Sequence, residues 1–506
     1  MNISRLLSRN ARKYPTHQAI VTEGEVLTYQ KLNEAVNQFA SSLHHRGIGL
    51  GDKVVLFMPN TKEFVISYFA VLRLGAIIVP VNAKLTQIEL QYIVDHSDAK
   101  AILLHEWLWE TCKDLRTNEL LCVKTGNAQD SWKSFETLLK EGKTDEIDCL
   151  LTEDDEATIL YTSGTTGQPK GVLFTYRNIL AVSIMMCVEF EMKPESRILH
   201  MMPLSHSAPL HLFLVAGTYV GSTHVLSPTF TPESLLTLVD QERITHFFGA
   251  PVAYLFTAKM PNINFYDLTS MKYWVYGGAP ISPEEINYIK EKLGTDLLHC
   301  VYGLTEAGPS GTLLTAHEHQ EKGGSIGKRG ALGTDIIIVN EALEPVGVNE
   351  VGEILLYGEG NMKEYYKDPE KTKETYMNGW LKTGDLARMD EDGYIWVVDR
   401  KKDMIISGGV NVYPNEIEEQ LIKHPAISEV AVVGVPHPEW GETVKAYVVS
   451  SFDGEKLARE CKAYLTGKLA SYKIPKLYEG IPALPRNATG KILKQVLRDE
   501  IQEVKS

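Results

Sequence analysis

Short apolar segments alternate with longer helical patterns along the first part of the chain, and this alternation restricts the fold more than any other feature. Residues 53–57 predict a buried strand, and a helical pattern over 61–74 follows it. Residues 77–81 and 101–104 predict further buried strands, the second after a helix that begins near Thr86. Strands separated by helices form parallel sheets that the helices cover. The alternation therefore predicts an α/β fold with parallel strands.

The later part of the chain has a different pattern of predicted elements. From residue 333 onwards, short strand patterns are separated by Gly, Asn and Asp turns, which predicts a small β-subdomain. A run of charges at 399–403 then suggests a hinge in this segment, and about 100 residues remain, enough for an independent domain. The expected fold is a large N-terminal domain of α/β sheets, residues 1–401 with the β-subdomain at about 324–401, and a smaller mobile C-terminal α/β domain, residues 402–506.

Length and composition agree with a chain of more than one domain. A chain of 506 residues exceeds the usual size of a single core. No stretch reaches the ~18 uninterrupted apolar residues of a membrane span, because the most apolar run, residues 64–81, contains Arg73. The N-terminal residues lack the continuous apolar segment of a signal peptide, so we expect a packing helix there and a cytoplasmic location.

Charge and cysteine spacing exclude several classes of protein. The net charge of −14 argues against nonspecific nucleic-acid binding. Residues 456–498 nevertheless hold 10 basic residues against two acidic ones, which suits either a lid that faces polyanionic ligands or a solvated helix face. The six cysteines show no Cys-x-x-Cys spacing, so we expect neither a zinc site nor disulfides.

Residues 161–172, Tyr-Thr-Ser-Gly-Thr-Thr-Gly-Gln-Pro-Lys-Gly-Val, have the composition of a phosphate-binding loop. Glycines allow successive N–H groups to converge on an anion, hydroxyls add donors, and Lys170 adds a positive charge. A strand pattern at 157–161 and a helical pattern at 178–188 are the usual setting for such a loop. The loop is not a Walker A motif, because Gln168 and Pro169 precede the lysine and Gly171 follows it. A flexible surface loop is the alternative.

Five further segments follow this loop in an order that resembles the adenylate-forming superfamily, which includes acyl-CoA synthetases, nonribosomal-peptide adenylation domains and firefly luciferases. They are Gly-Gly-Ala-Pro at 277–280, Tyr-Gly-Leu-Thr-Glu at 302–306, Thr-Gly-Asp at 383–385, Asp-Arg at 399–400 and Pro-Arg-Asn-Ala-Thr-Gly-Lys at 485–491. The resemblance covers almost the whole chain. It implies two domains that activate a carboxylic acid with ATP.

The resemblance also implies a nucleotide site. Its residues would be Thr162, Ser163, Gly164, Thr165, Thr166, Gly167, Lys170, Gly278, Ala279, Tyr302, Gly303, Leu304, Thr305, Asp385, Arg400 and Lys491. In this site Tyr302 would pack on adenine, while Asp385 and Arg400 would contact the ribose. Glu306 would coordinate magnesium, whose preference for oxygen ligands agrees with a lone carboxylate plus phosphates. Taken alone, an aspartate after Thr-Gly is more often a turn residue.

Four further roles come from the same resemblance. Lys491 would bridge the attacking carboxylate and the α-phosphate, with Lys170 at the pyrophosphate end. His206 would lie beside the acyl carboxylate, although a structural histidine is the alternative. Gly408 and Gly409 would line the tunnel for the pantetheine arm of coenzyme A, and Lys402 would be the hinge.

The substrate class rests on an absence of acidic residues. Residues 198–232 contain no Asp or Glu, whereas family members that activate amino acids place an aspartate there. A buried ammonium without a counter-charge is costly, so we expect an uncharged alkyl or aryl chain. Its neighbours would be Met201, Met202, Leu210, Leu212, Phe213 and Phe248, unless these form plain core.

The expected activity is that of an acyl-CoA synthetase for medium- or long-chain fatty acids, with ATP, Mg²⁺ and coenzyme A. The rivals are a ligase that loads an acyl carrier protein, an aryl-CoA ligase, and a catalytically silent nucleotide-binding protein. Luciferase-type oxygenation also stays open.

Overall fold

The computed structural model describes residues 3–117, 119–147, 149–162, 169–407, 410–438, 440–452, 454–486 and 492–503. The α/β fold class is confirmed. The chain divides into two compact units, one made of Met1–Ile336 and Leu356–Leu381, the other of Ile337–Leu355 and Lys382–Ser506. The domain boundary predicted between residues 401 and 402 stays a prediction.

The first sheet of the N-terminal unit is mainly parallel. Its strands are β1 Gln18–Thr22, β2 Glu25–Thr28, β10 Arg197–His200, β11 Thr223–Leu226, β12 His246–Gly249, β13 Tyr273–Gly277, β14 Leu298–Tyr302 and β15 Thr312–Leu314. The spatial order is β15-β14-β13-β12-β10-β11-β1-β2. Only the outermost strands, β15 and β2, run antiparallel to their neighbours.

The second sheet has a parallel centre and an antiparallel flank. Its strands are β3 Lys53–Phe57, β4 Ile77–Pro80, β5 Ala99–Leu104, β6 Leu121–Lys124, β7 Lys133–Ser134, β8 Glu156–Thr162, β9 Lys170–Thr175 and β18 Glu364–Tyr365. The order is β18-β9-β8-β4-β3-β5-β6-β7, with β9 antiparallel to both of its neighbours, β8 and β18. The parallel strands 53–57, 77–81 and 101–104 predicted from the sequence all belong here.

Helices connect and cover these sheets. They are α1 Arg5–Lys13, α2 Tyr29–His44, α3 Lys62–Arg73, α4 Gln87–His96, α5 Trp109–Cys112, α6 Phe135–Glu141, α7 Tyr176–Glu189, α8 Ala216–Val220, α9 Pro232–Gln241, α10 Pro251–Ala258, α11 Pro283–Leu293, α12 His319–Lys322 and α13 Pro369–Thr375. Several begin at a Thr or Ser whose side chain accepts a backbone N–H, as Thr86 and Ser282 do in full capping boxes. Short 3₁₀ turns occur at Glu106–Leu108, Ile263–Phe265 and Thr305–Ala307, and Ala208–Val215 is a π-helix.

Arg73, which interrupts the apolar run, lies fully buried in α3. Its guanidinium donates to the Ser4 carbonyl oxygen at 2.8 Å and to the side chain of Asn37. Burial lowers the pKa of Arg73 to about 10. This arginine anchors α1 and α2 to α3, as expected for a packing helix at the N-terminus. No helix in the part of the chain that the structure describes is long and apolar enough to cross a membrane.

A separate sheet contains β16 Thr334–Val339, β17 Val351–Gly358, β19 Tyr376–Met377, β20 Trp380–Met389 and β21 Ile395–Arg400. Its order is β16-β17-β20-β19, and β21 pairs with β20. The short strands predicted after residue 333 correspond to β16, β17 and β21.

The C-terminal residues form a small α/β arrangement with its own core. Its strands are β22 Ile405–Ser407, β23 Val410–Val412, β24 Ile427–His437, β25 Gly441–Ser450 and β26 Leu477–Gly480, and its helices are α14 Pro414–Leu421, α15 Gly454–Leu465 and α16 Lys494–Glu503. Buried Ile417, Val432 and Leu457 belong to this core. Helix α15 ends at Leu465, two residues before Gly467, whose φ is 83°.

Candidate functional site

The structure describes both ends of the predicted phosphate loop. Thr162 ends β8 and pairs with Lys170, the first residue of antiparallel β9. The helix predicted at 178–188 is confirmed as α7, and the unpredicted strand β9 lies between the loop and this helix. The loop therefore joins two antiparallel strands. The loop residues predicted to bind phosphate between these ends, Ser163, Gly164, Thr165, Thr166 and Gly167, lie outside the described residues.

Gly171 serves packing within this hairpin. It is not among the glycines with positive φ, so the expected special backbone conformation is wrong at this position. A Cβ there would lie 2.9 Å from Cγ2 of Ile159 and 3.3 Å from Cζ of Tyr161. A side chain at 171 would thus force apart the strand pair that sets the spacing of Thr162 and Lys170.

The two segments predicted to hold adenine lie at one edge of the first sheet. Strands β13 and β14 are parallel neighbours, and Gly277 pairs with Val301. Gly278, with a φ of 82°, and Ala279 follow β13 and are exposed, while Tyr302 ends β14 and is partly buried. Ligands bind at the carboxyl ends of parallel strands in such sheets. The structure thus brings these predicted nucleotide residues to the expected edge.

Backbone contacts explain why two glycines stand in these segments. A Cβ at Gly277 would lie 2.4 Å from the carbonyl oxygen of Val301, and one at Gly303 would lie 2.0 Å from that of Pro309. Both distances are far below ordinary contact, so larger residues would displace the neighbouring backbone. Leu304 then leads into the 3₁₀ turn Thr305–Ala307.

Glu306 lies in this turn and is held by a tyrosine. The Tyr365 hydroxyl donates to Oε1 of Glu306 at 2.7 Å, and the ammonium of Lys170 lies 5.6 Å from the centre of the Tyr365 ring. The carbonyl oxygen of Glu306 accepts the backbone N–H of Met362 at 2.7 Å. The sequence analysis missed Tyr365, which no local pattern distinguishes from its neighbour Tyr366.

These residues fit a magnesium ion that is shared with substrate. Within the described ranges, no group of three or more His, Cys, Asp or Glu side chains could hold a metal by itself. Mg²⁺ usually binds through one or two carboxylates together with substrate phosphates and water. The oriented carboxylate of Glu306 is a ligand of the kind that such a shared ion requires.

His206 is held in a defined, neutral state. Asn82 Nδ2 donates to His206 Nε2 at 3.1 Å, so the ring proton lies on Nδ1. Burial lowers the pKa of His206 to about 4, which keeps the imidazole uncharged at neutral pH. The next residue, Ser207, donates from Oγ to Thr305 Oγ1 at 3.4 Å, which links the His206 segment to the turn of Glu306.

A second asparagine fixes the segment before His206. Asn60 donates to the carbonyl oxygen of Met202 at 2.8 Å and accepts the N–H of Leu204 at 2.9 Å. Asn60 and Asn82 follow the carboxyl ends of β3 and β4 within a few residues. Sequence reasoning missed both, although a polar residue just after a buried parallel strand was the signal that could have found them.

The apolar residues expected to contact the acyl chain fall into two groups. Fully buried residues are Met201, Leu210, Leu212 and Phe213, each 3% exposed or less. Met202 and Phe248 are partly exposed, and Phe248 packs against the cluster that contains Phe213. The four buried residues are as inaccessible as core residues. The partly exposed Met202 and Phe248 are therefore better placed to contact a ligand.

Asp385 and Arg400 lie in the other unit and face each other across β20 and β21. Arg400 Nε is 2.6 Å from Asp385 Oδ1, and the Asp385 side chain is only 6% exposed. Asp385 is therefore a strand residue and not a turn residue, and it forms an ion pair with Arg400, the other residue predicted to contact the ribose. Lys402 lies just beyond β21 and is exposed.

Three further predicted residues cannot be placed, in addition to those of the phosphate loop. Gly408, Gly409 and Lys491 lie outside the described residues.

Comparison with known families identifies the class of protein. The model of the AMP-binding enzymes matches residues 7–366, and the model of the AMP-binding enzyme C-terminal domain matches residues 416–491. The chain belongs to this family, and the predicted adenylate-forming superfamily is confirmed.

Individual relatives match over nearly the whole chain. Feruloyl-CoA synthase from Amycolatopsis sp is 36% identical over 491 residues, which are 97% of each protein. Long-chain-fatty-acid–CoA ligase FadD13 from Mycobacterium tuberculosis is 34% identical over 504 residues, 99% of this chain and 98% of the relative. The solved structure of o-succinylbenzoate CoA synthetase (MenE) from Bacillus subtilis with ATP and magnesium superposes with a TM-score of 0.87 at 29% identity, covering 97% of this chain and 98% of that one.

These similarities define the general activity. The chain is a CoA ligase of the adenylate-forming superfamily, an AMP-forming acid–thiol ligase that acts on a small-molecule carboxylate. The predicted use of ATP, Mg²⁺ and coenzyme A is confirmed.

Proposed function

We propose that this ligase activates a medium- or long-chain fatty acid. The carboxylate would attack the α-phosphate of ATP to give acyl-AMP and pyrophosphate, and the thiol of coenzyme A would then displace AMP to give the thioester. The observation that carries this proposal is the absence of Asp and Glu from residues 198–232, combined with two partly exposed apolar residues, Met202 and Phe248, of which Phe248 packs against a buried cluster. A charged substrate amine would lack a partner there.

The first half-reaction joins two anions, so the site must neutralise charge and orient the reactants. We assign Lys170 and the loop after Thr162 to the pyrophosphate end, and Lys491 to the bridge between the carboxylate and the α-phosphate. Neutral His206, with its proton on Nδ1, would donate a hydrogen bond next to the acyl carboxylate. Bound Mg²⁺ would supply charge neutralisation at the phosphates through Glu306.

The remaining assignments concern nucleotide binding and the second half-reaction. Asp385 and Arg400 would contact the ribose, and Tyr302, Gly278 and Ala279 would enclose adenine. Gly408 and Gly409 would admit the pantetheine arm, with the C-terminal domain turning at Lys402 between the two half-reactions. The family resemblance supports these roles.

An aromatic acid is the second candidate, and one observation favours it. Phe213 and Phe248 lie 5.4 Å apart between ring centres, and Phe190 stacks on Phe213 at 6.1 Å. Aromatic rings arranged in this way can accept a further flat ring at the edge of the cluster. Among the relatives, feruloyl-CoA synthase is named for an aryl acid and FadD13 for a fatty acid.

A carboxylic-acid panel separates these candidates. Pyrophosphate release and thioester formation would be measured with octanoate, dodecanoate, hexadecanoate and ferulate, with coenzyme A present and absent. Each buried methylene contributes about 0.8 kcal/mol, which is roughly fourfold in kcat/KM, so activity should rise along the alkyl series until the site is full. A flat alkyl series together with rapid turnover of ferulate would instead support the aryl candidate.

The thiol acceptor needs a separate test. A relative, the fatty acid–[acyl-carrier-protein] ligase ScoC from Streptomyces coeruleorubidus, is 32% identical over 505 residues, 97% of this chain and 95% of that protein. We favour free coenzyme A, because the basic residues within 456–498 suit its phosphates. Thioester yield from preformed acyl-AMP with coenzyme A, compared with holo acyl carrier protein, distinguishes the two acceptors.

We also propose a cytoplasmic location. All six cysteines are free thiols, as expected from their spacing. Free thiols are typical of proteins in reducing compartments. Fractionation of cells that express the chain, with immunoblotting of each fraction, tests this part of the proposal.

A further inference from the structure

Tyr365 contacts two charged groups that the proposed mechanism uses. Its hydroxyl lies 2.7 Å from Oε1 of Glu306, and its ring centre lies 5.6 Å from the ammonium of Lys170. The residue is only 8% exposed. We propose that Tyr365 is a positioning residue that orients the magnesium-binding carboxylate and holds the phosphate-binding ammonium beside it. This inference rests on the proposed role of Glu306.

The hydroxyl can act only as a donor to the carboxylate. A tyrosine phenol is protonated at neutral pH, and an ionised carboxylate has no proton to donate, so the phenol is the donor in this contact. The hydrogen bond occupies Oε1 of Glu306. The second oxygen, Oε2, receives no hydrogen bond from the described residues and is available as a ligand.

The backbone fixes the tyrosine from both sides. Tyr365 pairs with Val172 of β9, the strand that begins at Lys170, and the N–H of Tyr365 donates to Thr372 Oγ1 at 2.9 Å. On the other side, the N–H of Met362 donates to the Glu306 carbonyl oxygen at 2.7 Å. The side chain is thus held between the strand of the lysine and the turn of the glutamate.

A hydrogen-bond partner of this kind is important because it sets the orientation of the side chain that binds the metal. Loss of a hydrogen bond to a ligating residue typically costs 10-fold to 100-fold in metal affinity. Glu306 can rotate about its side-chain bonds, and the hydrogen bond from Tyr365 restricts this rotation. The ring adds a weak cation–π attraction that keeps Lys170 near the same carboxylate.

Tyr365→Phe tests the hydroxyl alone, because it keeps the ring beside Lys170. The matched control is Tyr366→Phe, since the Tyr366 hydroxyl donates to Asp98 at 3.3 Å. Calorimetry would measure the binding of α,β-methylene-ATP, an unreactive analogue, as a function of Mg²⁺ concentration. We expect Tyr365→Phe to need about 10-fold to 100-fold more Mg²⁺ for half-maximal binding. Binding at saturating Mg²⁺ should recover, and Tyr366→Phe should match the wild type.

Tyr365→Leu is the second variant, because it removes the ring as well. It should show the same altered Mg²⁺ dependence and, in addition, weaker binding of inorganic pyrophosphate. Circular dichroism and Tm show for each variant that the fold is kept.

Wild-type Mg²⁺ dependence in both Tyr365 variants would overturn the inference. The Glu306→Gln variant separates this failure from that of the proposed function. If Glu306→Gln alters the Mg²⁺ dependence and the Tyr365 variants do not, only the positioning role is wrong. If Mg²⁺ has no effect on analogue binding by the wild type, the proposed role of Glu306 fails first.

Discussion

Most steps of the proposed chemistry depend on single side chains. Hydrogen bonds orient two of these side chains, Glu306 and His206. Among the described residues, the side chain of Tyr365 donates to the carboxylate of Glu306 and that of Asn82 to the imidazole of His206. In each contact the partner fixes one polar atom of the side chain. Both partners are distant in sequence from the residue they orient.

Glu306→Gln should lower adenylation by a few orders of magnitude. The amide keeps the size of the side chain but removes the negative charge that would bind Mg²⁺. Acyl-AMP formation at limiting Mg²⁺, followed by mass spectrometry, measures this change. Near wild-type rates in a folded variant would show that another group binds the metal.

Asn82→Ala should slow acyl-AMP formation by about 5-fold while leaving ATP binding unchanged. His206 would lose the donor at Nε2 that sets its tautomer and ring orientation, a hydrogen bond whose net value is about 1 kcal/mol. The measurement is the adenylation rate at saturating acid together with the Kd for ATP. Asn127, whose carbonyl oxygen accepts from Lys124, is a surface control position for the same substitution. Equal adenylation rates in Asn82→Ala and Asn127→Ala would show that Asn82 has no role in the site.

At the scale of elements, sequence patterns predicted those strands whose apolar runs are continuous, such as β3 and β4. The family resemblance assigned Tyr302 and Gly278 to one site, and in the structure both lie at one sheet edge because β13 and β14 are parallel and end on the same side. Sequence patterns failed for β9, because residues 170–175 follow a loop-like string and only the antiparallel pairing with β8 makes them a strand. The contact of Tyr365 with Glu306 depends on the two-residue strand β18 pairing with β9 nearly 200 residues away, for which the sequence has no local signal.

A pH-dependent contribution to stability comes from the strand end of β21. Burial raises the pKa of Asp399 from the usual 3.8 to about 6, although the backbone N–H groups of Arg400 and Asn415 donate to its carboxylate. The folded state therefore binds the proton more tightly than the unfolded state. The cost of the buried charge is present above pH 6 and is relieved as pH falls from 6 towards 3.8.

Asp399→Asn should remove this dependence. Relative to the variant, the wild type should gain about 1.4 kcal/mol between pH 7 and pH 5, the value of one pKa unit. Thermal unfolding of both proteins at the two pH values measures the difference as a change in relative Tm. A difference in Tm that does not vary with pH would show that Asp399 is already charged at pH 5.

At the scale of the whole molecule, the proposal requires the C-terminal domain to serve two half-reactions in turn. Lys491→Ala should abolish acyl-AMP formation and leave the transfer from supplied acyl-AMP to coenzyme A largely intact. Gly409→Leu should have the opposite effect, because its side chain would fill the thiol tunnel. Single-turnover assays of each half-reaction in each variant make the comparison. Equal losses in both halves for both variants would contradict domain alternation while leaving simple adenylation unaffected.

The most direct test of the account compares an acid with its own α-amino derivative. Decanoate and 2-aminodecanoate share the alkyl chain and differ in the ammonium, for which residues 198–232 offer no acidic partner. The measurement is kcat/KM for thioester formation with ATP, Mg²⁺ and coenzyme A. The account predicts a preference for decanoate of at least about 100-fold, because an unpaired buried charge costs several kcal/mol. Equal turnover of the two acids, or a preference for 2-aminodecanoate, would contradict it.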